Sequence, residues 1–271
     1  VKSFPAFGIL LGSRGSLKQL QALLEENSGL PGPRANLELV ASFAEAVSRM
    51  HLEDWQWDYL LDTAGTSPSK APENTPRVYV SICSLVALGA LYGTGLPRPR
   101  RRAALSAIKT AAVDPRWRVR EAAAMGLQHI GEADREMLKG IVTDWLPDAS
   151  ALELRAIAAG LAHPPILSDE EFADFCLDTV RSILAAISRM DPKSRTQESF
   201  KVLRQGMGYA LSVFVAKRPG AGFTLMRKSA AIRDADIAWI VRENLKKKRL
   251  TEHFPKDVQQ VALILEEANA R

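Results

Sequence analysis

The sequence predicts an all-α chain folded as a right-handed superhelix of helix pairs. Three observations lead there. Apolar residues recur three and four positions apart in segment after segment along the 271 residues, the spacing of one helix face. No stretch of useful length alternates apolar and polar residues as a strand does. A short motif with a turn Asp and a Val-Arg pair recurs far apart in the chain, as stacked helix pairs require.

The first helix is expected over 16–26, with Leu17, Leu20, Leu23 and Leu24 on one face, ended by the turn residues of 27–33. Segment 34–50 carries Leu37, Val40, Phe43, Ala44 and Val47; segment 51–61 carries Leu52, Trp55, Tyr59 and Leu60. The two are expected to pack antiparallel. Residues 63–76 are polar and rich in turn formers, which predicts an extended, mobile loop. Beyond it come a helix over 77–93, an Arg/Pro hinge at 96–100 and a helix over 101–112. Asp114-Pro115 then opens the next. Further helices are expected at 119–130, 134–145, 150–161, 168–189, 194–215, 224–231, 234–245 and 256–269, with Pro at the boundaries, where its missing N–H costs nothing. The whole is expected to be one domain: N-terminal helices over 1–62, the loop at 63–76 and the main stack over 77–271.

With 46% hydrophobic and 25% charged residues the composition is that of a globular protein. Apolar runs such as 85–91 are far shorter than the ~20 residues of a membrane span, so no membrane association is expected. Residues 1–11 lack the pattern of a secretory signal, and the expected address is the cytoplasm. Cys83 and Cys176 sit inside apolar helical runs and are too few for a disulfide scaffold or a cysteine zinc site. The excess of 36 Lys and Arg over 31 Asp and Glu, a net +5, permits a polyanionic partner without demanding one.

The recurring motif is D-x-x-W-x-V-R-E, found at 114–121 and at 236–243 with five identities in eight positions and an offset of 122 residues, about three helix-pair units. A weaker copy lies at 148–161. Asp114-Pro115, Val119-Arg120, then Ala122, Ala123, Ala124, Leu127, Ile130 and Gly131 resemble a HEAT repeat of the armadillo-type fold. That resemblance implies two antiparallel helices per repeat and a ladder joining Asp114 to Arg120 and Asp236 to Arg242. The segments around 168–215 lack the motif and interrupt any ladder. Residues 237–250, with Trp239 and the run Lys246, Lys247, Lys248, Arg249, are similar to the C-terminal end of HEAT-like DNA alkylation repair glycosylases. This second resemblance implies a basic concave surface for duplex DNA, with Trp and Asp side chains near the damaged nucleotide; Asp144 and Trp145 are the pair it suggests here.

The histidines His51, His129, His163 and His253 are never paired at ligand spacing, and no phosphate-binding or metalloprotease motif occurs, so neither metal nor cofactor is expected. Gly93 and Gly95, like Gly206 and Gly208, suggest a helix end and a tight helix contact. Ser168 followed by Asp169, Glu170 and Glu171 suggests an N-cap with an acidic first turn. Arg98, Arg100, Arg101 and Arg102 surround the Pro-rich hinge, while Arg116 and Arg118 open the best repeat. With Lys246, Lys247 and Lys248 they are the candidate phosphate contacts. Trp117 and Trp239, at matching repeat positions, are candidate stacking platforms. The leading expectation is a non-enzymatic scaffold offering a concave surface to a protein or nucleic-acid partner. The alternative is a DNA-binding protein or glycosylase of the repair type, bound to duplex DNA.

Overall fold

A computed structural model describes residues 7–270 of the chain, with side chains to residue 268. The described residues contain helices and turns and no strand. None of these helices is long and apolar enough to cross a membrane. The chain divides into two compact units, 1–134 and 135–271. Residues 1–6, and with them most of the segment inspected for a secretory signal, lie outside the described residues.

The first unit holds α1 (Phe7–Leu11), α2 (Leu17–Glu26), α3 (Leu37–Ser48), α4 (Asp54–Ala64), α5 (Pro76–Tyr92), α6 (Arg98–Ala112) and α7 (Trp117–Ala133). Several starts have a local cause. Asn36 accepts from the Leu39 N–H to cap α3, Glu53 and Gln56 form a capping box on α4, and Pro76 takes the first position of α5. Helix α6 begins at Arg98, inside the expected hinge, because Pro99 falls in its first turn, where no backbone N–H is needed. Helix α5 is buried on nearly every side, with contacts to α2, α3, α4, α6 and α7. Against α7 the backbones themselves meet: a Cβ on Gly89 would lie 2.5 Å from the Gly126 Cα. Val119, Ala123, Leu127 and Ile130 form one buried face of α7, and Cys83 is sealed in α5.

The second unit holds α8 (Arg135–Trp145), α9 (Ala151–Leu161), α10 (Glu170–Arg189), α11 (Pro192–Arg195), α12 (Glu198–Lys217), α13 (Pro219–Ala230), α14 (Ala235–Leu245), α15 (Lys248–Thr251) and α16 (Pro255–Ala270). Asp169, one residue beyond Ser168, caps α10 through the Phe172 N–H. Helix α12 is the hub, touching α9, α10, α13 and α14. The buried Asn244 fixes its register with α14: the amide oxygen accepts from the Ser212 N–H at 2.7 Å, and the amide nitrogen donates to the Met207 carbonyl at 2.8 Å. The Arg204–Asp236 ion pair joins the same two helices. Because 204 faces 236 and 212 faces 244, α12 and α14 run parallel. A return helix, α13, lies between them in the chain and packs against both.

Candidate nucleic-acid interface

The first unit spends much of its arginine charge internally. Arg116 and Arg118, expected as phosphate contacts, are only 4% and 6% exposed. The Arg116 guanidinium donates to both carboxylate oxygens of Asp114 and to the carbonyls of Ala71 and Thr66. Arg118 donates to Glu73 and to the Gly32 carbonyl. These two side chains therefore staple the polar segment between α4 and α5 onto the start of α7 and are not available to a phosphate. The segment expected to be mobile is held at Thr66, Ala71 and Glu73. Arg120 does reach Asp114, as expected of the ladder, but through the backbone: it donates to the carbonyls of Asp114 and Pro115, while the Asp114 carboxylate takes the Arg116 N–H and side chain.

Helix α6 carries four arginines at its start. Arg98 and Arg102 are exposed and Arg101 is half-buried. Arg100 is drawn back onto Asp54 at 2.6 Å and the Leu52 carbonyl. It lies at the edge of a cleft of about 1010 Å³ lined also by Arg14, His51, Trp55 and Thr94. In that cleft Arg49 is paired with Glu45, the Trp55 indole N–H with Glu53, and the Arg14 guanidinium lies over the Trp55 ring at 5.4 Å. Trp117 is 49% exposed, beneath the Arg118 guanidinium at 4.3 Å. Of the glycosylase-like pair, Asp144 is exposed but Trp145 is buried. An indole enclosed in the protein interior cannot stack on a nucleotide, so Trp145 is not placed for that role.

In the second unit, polar and aromatic residues line a groove between α12 and α14. Lys201, Gln205 and Tyr209 follow one another four positions apart on one face of α12, as Trp239 and Glu243 do on α14; Lys247, in the turn after α14, joins them at the groove. With Arg204 and Gly208 they enclose about 490 Å³. Gly208 makes room for the indole: a Cβ there would lie 2.9 Å from a Trp239 ring carbon. The guanidinium of Arg204 lies over the Trp239 ring at 4.7 Å, held by Asp236 at 2.7 Å. Arg249 sits over the ring of Tyr209 at 4.7 Å and donates to its hydroxyl at 2.8 Å; the Lys247 ammonium is 5.8 Å from the same ring. Tyr209 itself is 51% exposed.

No protein-family model and no curated protein matches this chain.

Asp236, expected to bridge to Arg242, instead pairs with Arg195 and Arg204, and Arg242 is exposed. The cap of α14 is Asp234, which accepts from the Asp236 and Ile237 N–H groups. The two motif copies thus enter their helices differently: Trp117 is the first residue of α7, Trp239 the fifth of α14. Lys246 and Lys248 are exposed, with Lys246 paired to Glu243. The hydrogen bond from Lys246 holds the Glu243 carboxyl below its ordinary range, so one anion sits among the cations of the groove. Lys201, Arg204 and Tyr209 were not among the sequence candidates. Their signal, a spacing of three and four on a helix that already contains Gly208, was legible but had no motif attached to it.

Proposed function

We propose that this chain is a non-enzymatic helical binding module that receives an anionic nucleic-acid partner on the α12–α14 groove. The observation that carries it is the pairing, in one groove, of two aromatic rings with an arginine over each and lysines beside them. Cations attract phosphates without regard to sequence, and aromatic faces accept bases. The architecture favoured is a superhelical stack of HEAT-like helix pairs. Within each unit helices pack on their next-but-one neighbours, as α3 does on α5, α5 on α7 and α12 on α14, and such stacks present extended surfaces.

The test is binding of fluorescein-labelled nucleic acid, both single-stranded and duplex, across a salt series. Affinity should fall steeply with salt, and replacing Lys201 and Lys247 by Glu should weaken it and flatten the slope by about 1 per lysine removed. Absence of binding to every nucleic acid at low salt would overturn the proposal.

A further inference from the structure

Resting on the nucleic-acid reading of the groove, we infer that its ligand is an unpaired segment of nucleic acid, with bases laid against Tyr209 and against the Arg204 guanidinium that covers the Trp239 ring, and phosphates directed to Lys201, Lys247 and Arg249. A duplex shows a protein its phosphates and the edges of its bases; the base faces are buried in the stack. Lysines and arginines alone would serve a duplex. Aromatic faces in a groove add affinity only when bases are unstacked and can lie on them.

The details of the groove are those of a stacking site. Tyr209 is half exposed although its hydroxyl is already satisfied by Arg249, so the ring is oriented before any ligand arrives. Arg204 is oriented likewise, by Asp236 on one side and the Trp239 ring on the other, and a guanidinium plane is itself a surface on which a base can lie. Gly208 removes the one side-chain carbon that would push the indole out of the groove. Preorganised rings and cations lower the entropy cost of ordering on binding. The groove of about 490 Å³ falls within the ~300–1,000 Å³ of small-ligand sites and has room for a base and its sugar. Asp236 is a positioning residue in this scheme, acting through Arg204.

The experiment compares a labelled oligothymidylate of about 12 nucleotides, within the ~4–16 nucleotides such sites cover, with a duplex of equal length and with polyglutamate, at one salt concentration. The full chain is used as wild type and as Tyr209→Ala, Trp239→Phe and Trp239→Ala, each checked for unchanged helicity. The single strand should bind about tenfold or more tighter than the duplex. Tyr209→Ala and Trp239→Ala should each lower single-strand affinity by about fivefold to tenfold or more without altering the salt slope, and Trp239→Phe should retain most of it. Tyr209 is exposed, so its removal tests stacking even if Trp239→Ala fails to fold. A preference for the duplex, or single-strand binding insensitive to Tyr209→Ala, overturns the unpaired-strand inference and leaves the nucleic-acid reading in place. Equal binding of polyglutamate, or no binding of either nucleic acid, overturns both.

Discussion

A Cβ on Gly208 would sit 2.9 Å and 3.2 Å from two ring carbons of Trp239 and 3.3 Å from the Cβ of Glu243. Elsewhere in a helix Gly→Ala stabilises by up to ~1 kcal/mol; here the overpacking cost of ~1–3 kcal/mol outweighs that gain because a rigid indole must move. Gly208→Ala should therefore leave stability unchanged or lower it by up to about 2 kcal/mol and shift the tryptophan emission. A clear gain in the urea midpoint would refute the contact. Arg116 is the opposite kind of residue, a buried cation with every side-chain donor group answered by Asp114, Ala71 or Thr66. Arg116→Met leaves the Asp114 carboxylate with the backbone N–H but without its cation and should cost about 3–5 kcal/mol. Amide exchange in 65–75 should accelerate as the segment loses its staple. Protection there equal to wild type would show that the staple does not hold it. From sequence, Arg116 and Arg118 read as phosphate contacts because residue type and position at a helix start are local properties. Their inward direction depends on carbonyls more than 40 residues away.

At the scale of an element, α14 is set in place by its two ends. Asn244 locks it to α12 near the C-terminus, and at the entrance Asp234 caps it while pairing with Arg195 at 2.8 Å. Burial alone pushes the Asp234 carboxyl up, but the hydrogen bonds from Arg195 and from the Ile237 and Asp236 N–H groups outweigh it, and the net shift is downward. A carboxyl whose pKa falls on folding contributes stability that is complete above its unfolded value, near ~3.9, and is lost as pH drops through the folded value. Asp234→Asn retains a neutral cap and removes this linkage. Between about pH 5 and about pH 2 the wild-type denaturation midpoint should fall more steeply than that of the variant. Parallel pH profiles would exclude Asp234 as a source of the acid sensitivity. The motif D-x-x-W-x-V-R-E drew attention to Asp236, and it is Asp234 that does the capping. Two aspartates in the pattern Asp-Ala-Asp offer two registers, and only the chain's arrival at α14 chooses between them.

For the whole molecule, each unit has a hub of its own, α5 in the first and α12 in the second, with large side chains such as Tyr79, Phe43, Phe200 and Phe214 fully buried. Separate chains of 1–134 and 135–271 are therefore each expected to fold, since domains of ~100–150 residues with one core are the ordinary size. Circular dichroism should show helical spectra and cooperative melting for both. A fragment that stays unfolded would show that its core is incomplete alone. The second fragment should also retain the binding assigned to the α12–α14 groove, because every residue of the groove lies within it.

Periodicity and punctuation by themselves determined that this chain is all-α and where most of its helices lie, because the helical repeat and the exclusion of Pro from helix interiors act within a few residues. They also marked Gly206 and Gly208 as a close helix contact, with Arg155 against the first and Trp239 against the second. Tertiary structure alone decided which cations face water. Arg116 and Arg118 found carbonyls and carboxylates brought from far along the chain and were drawn inside; Lys201, Arg204, Lys247 and Arg249 met two aromatic rings at a groove and stayed there. A long flexible cation near neutral carries the same charge in either setting, so its role is fixed by the partners folding places within ~3 Å of it.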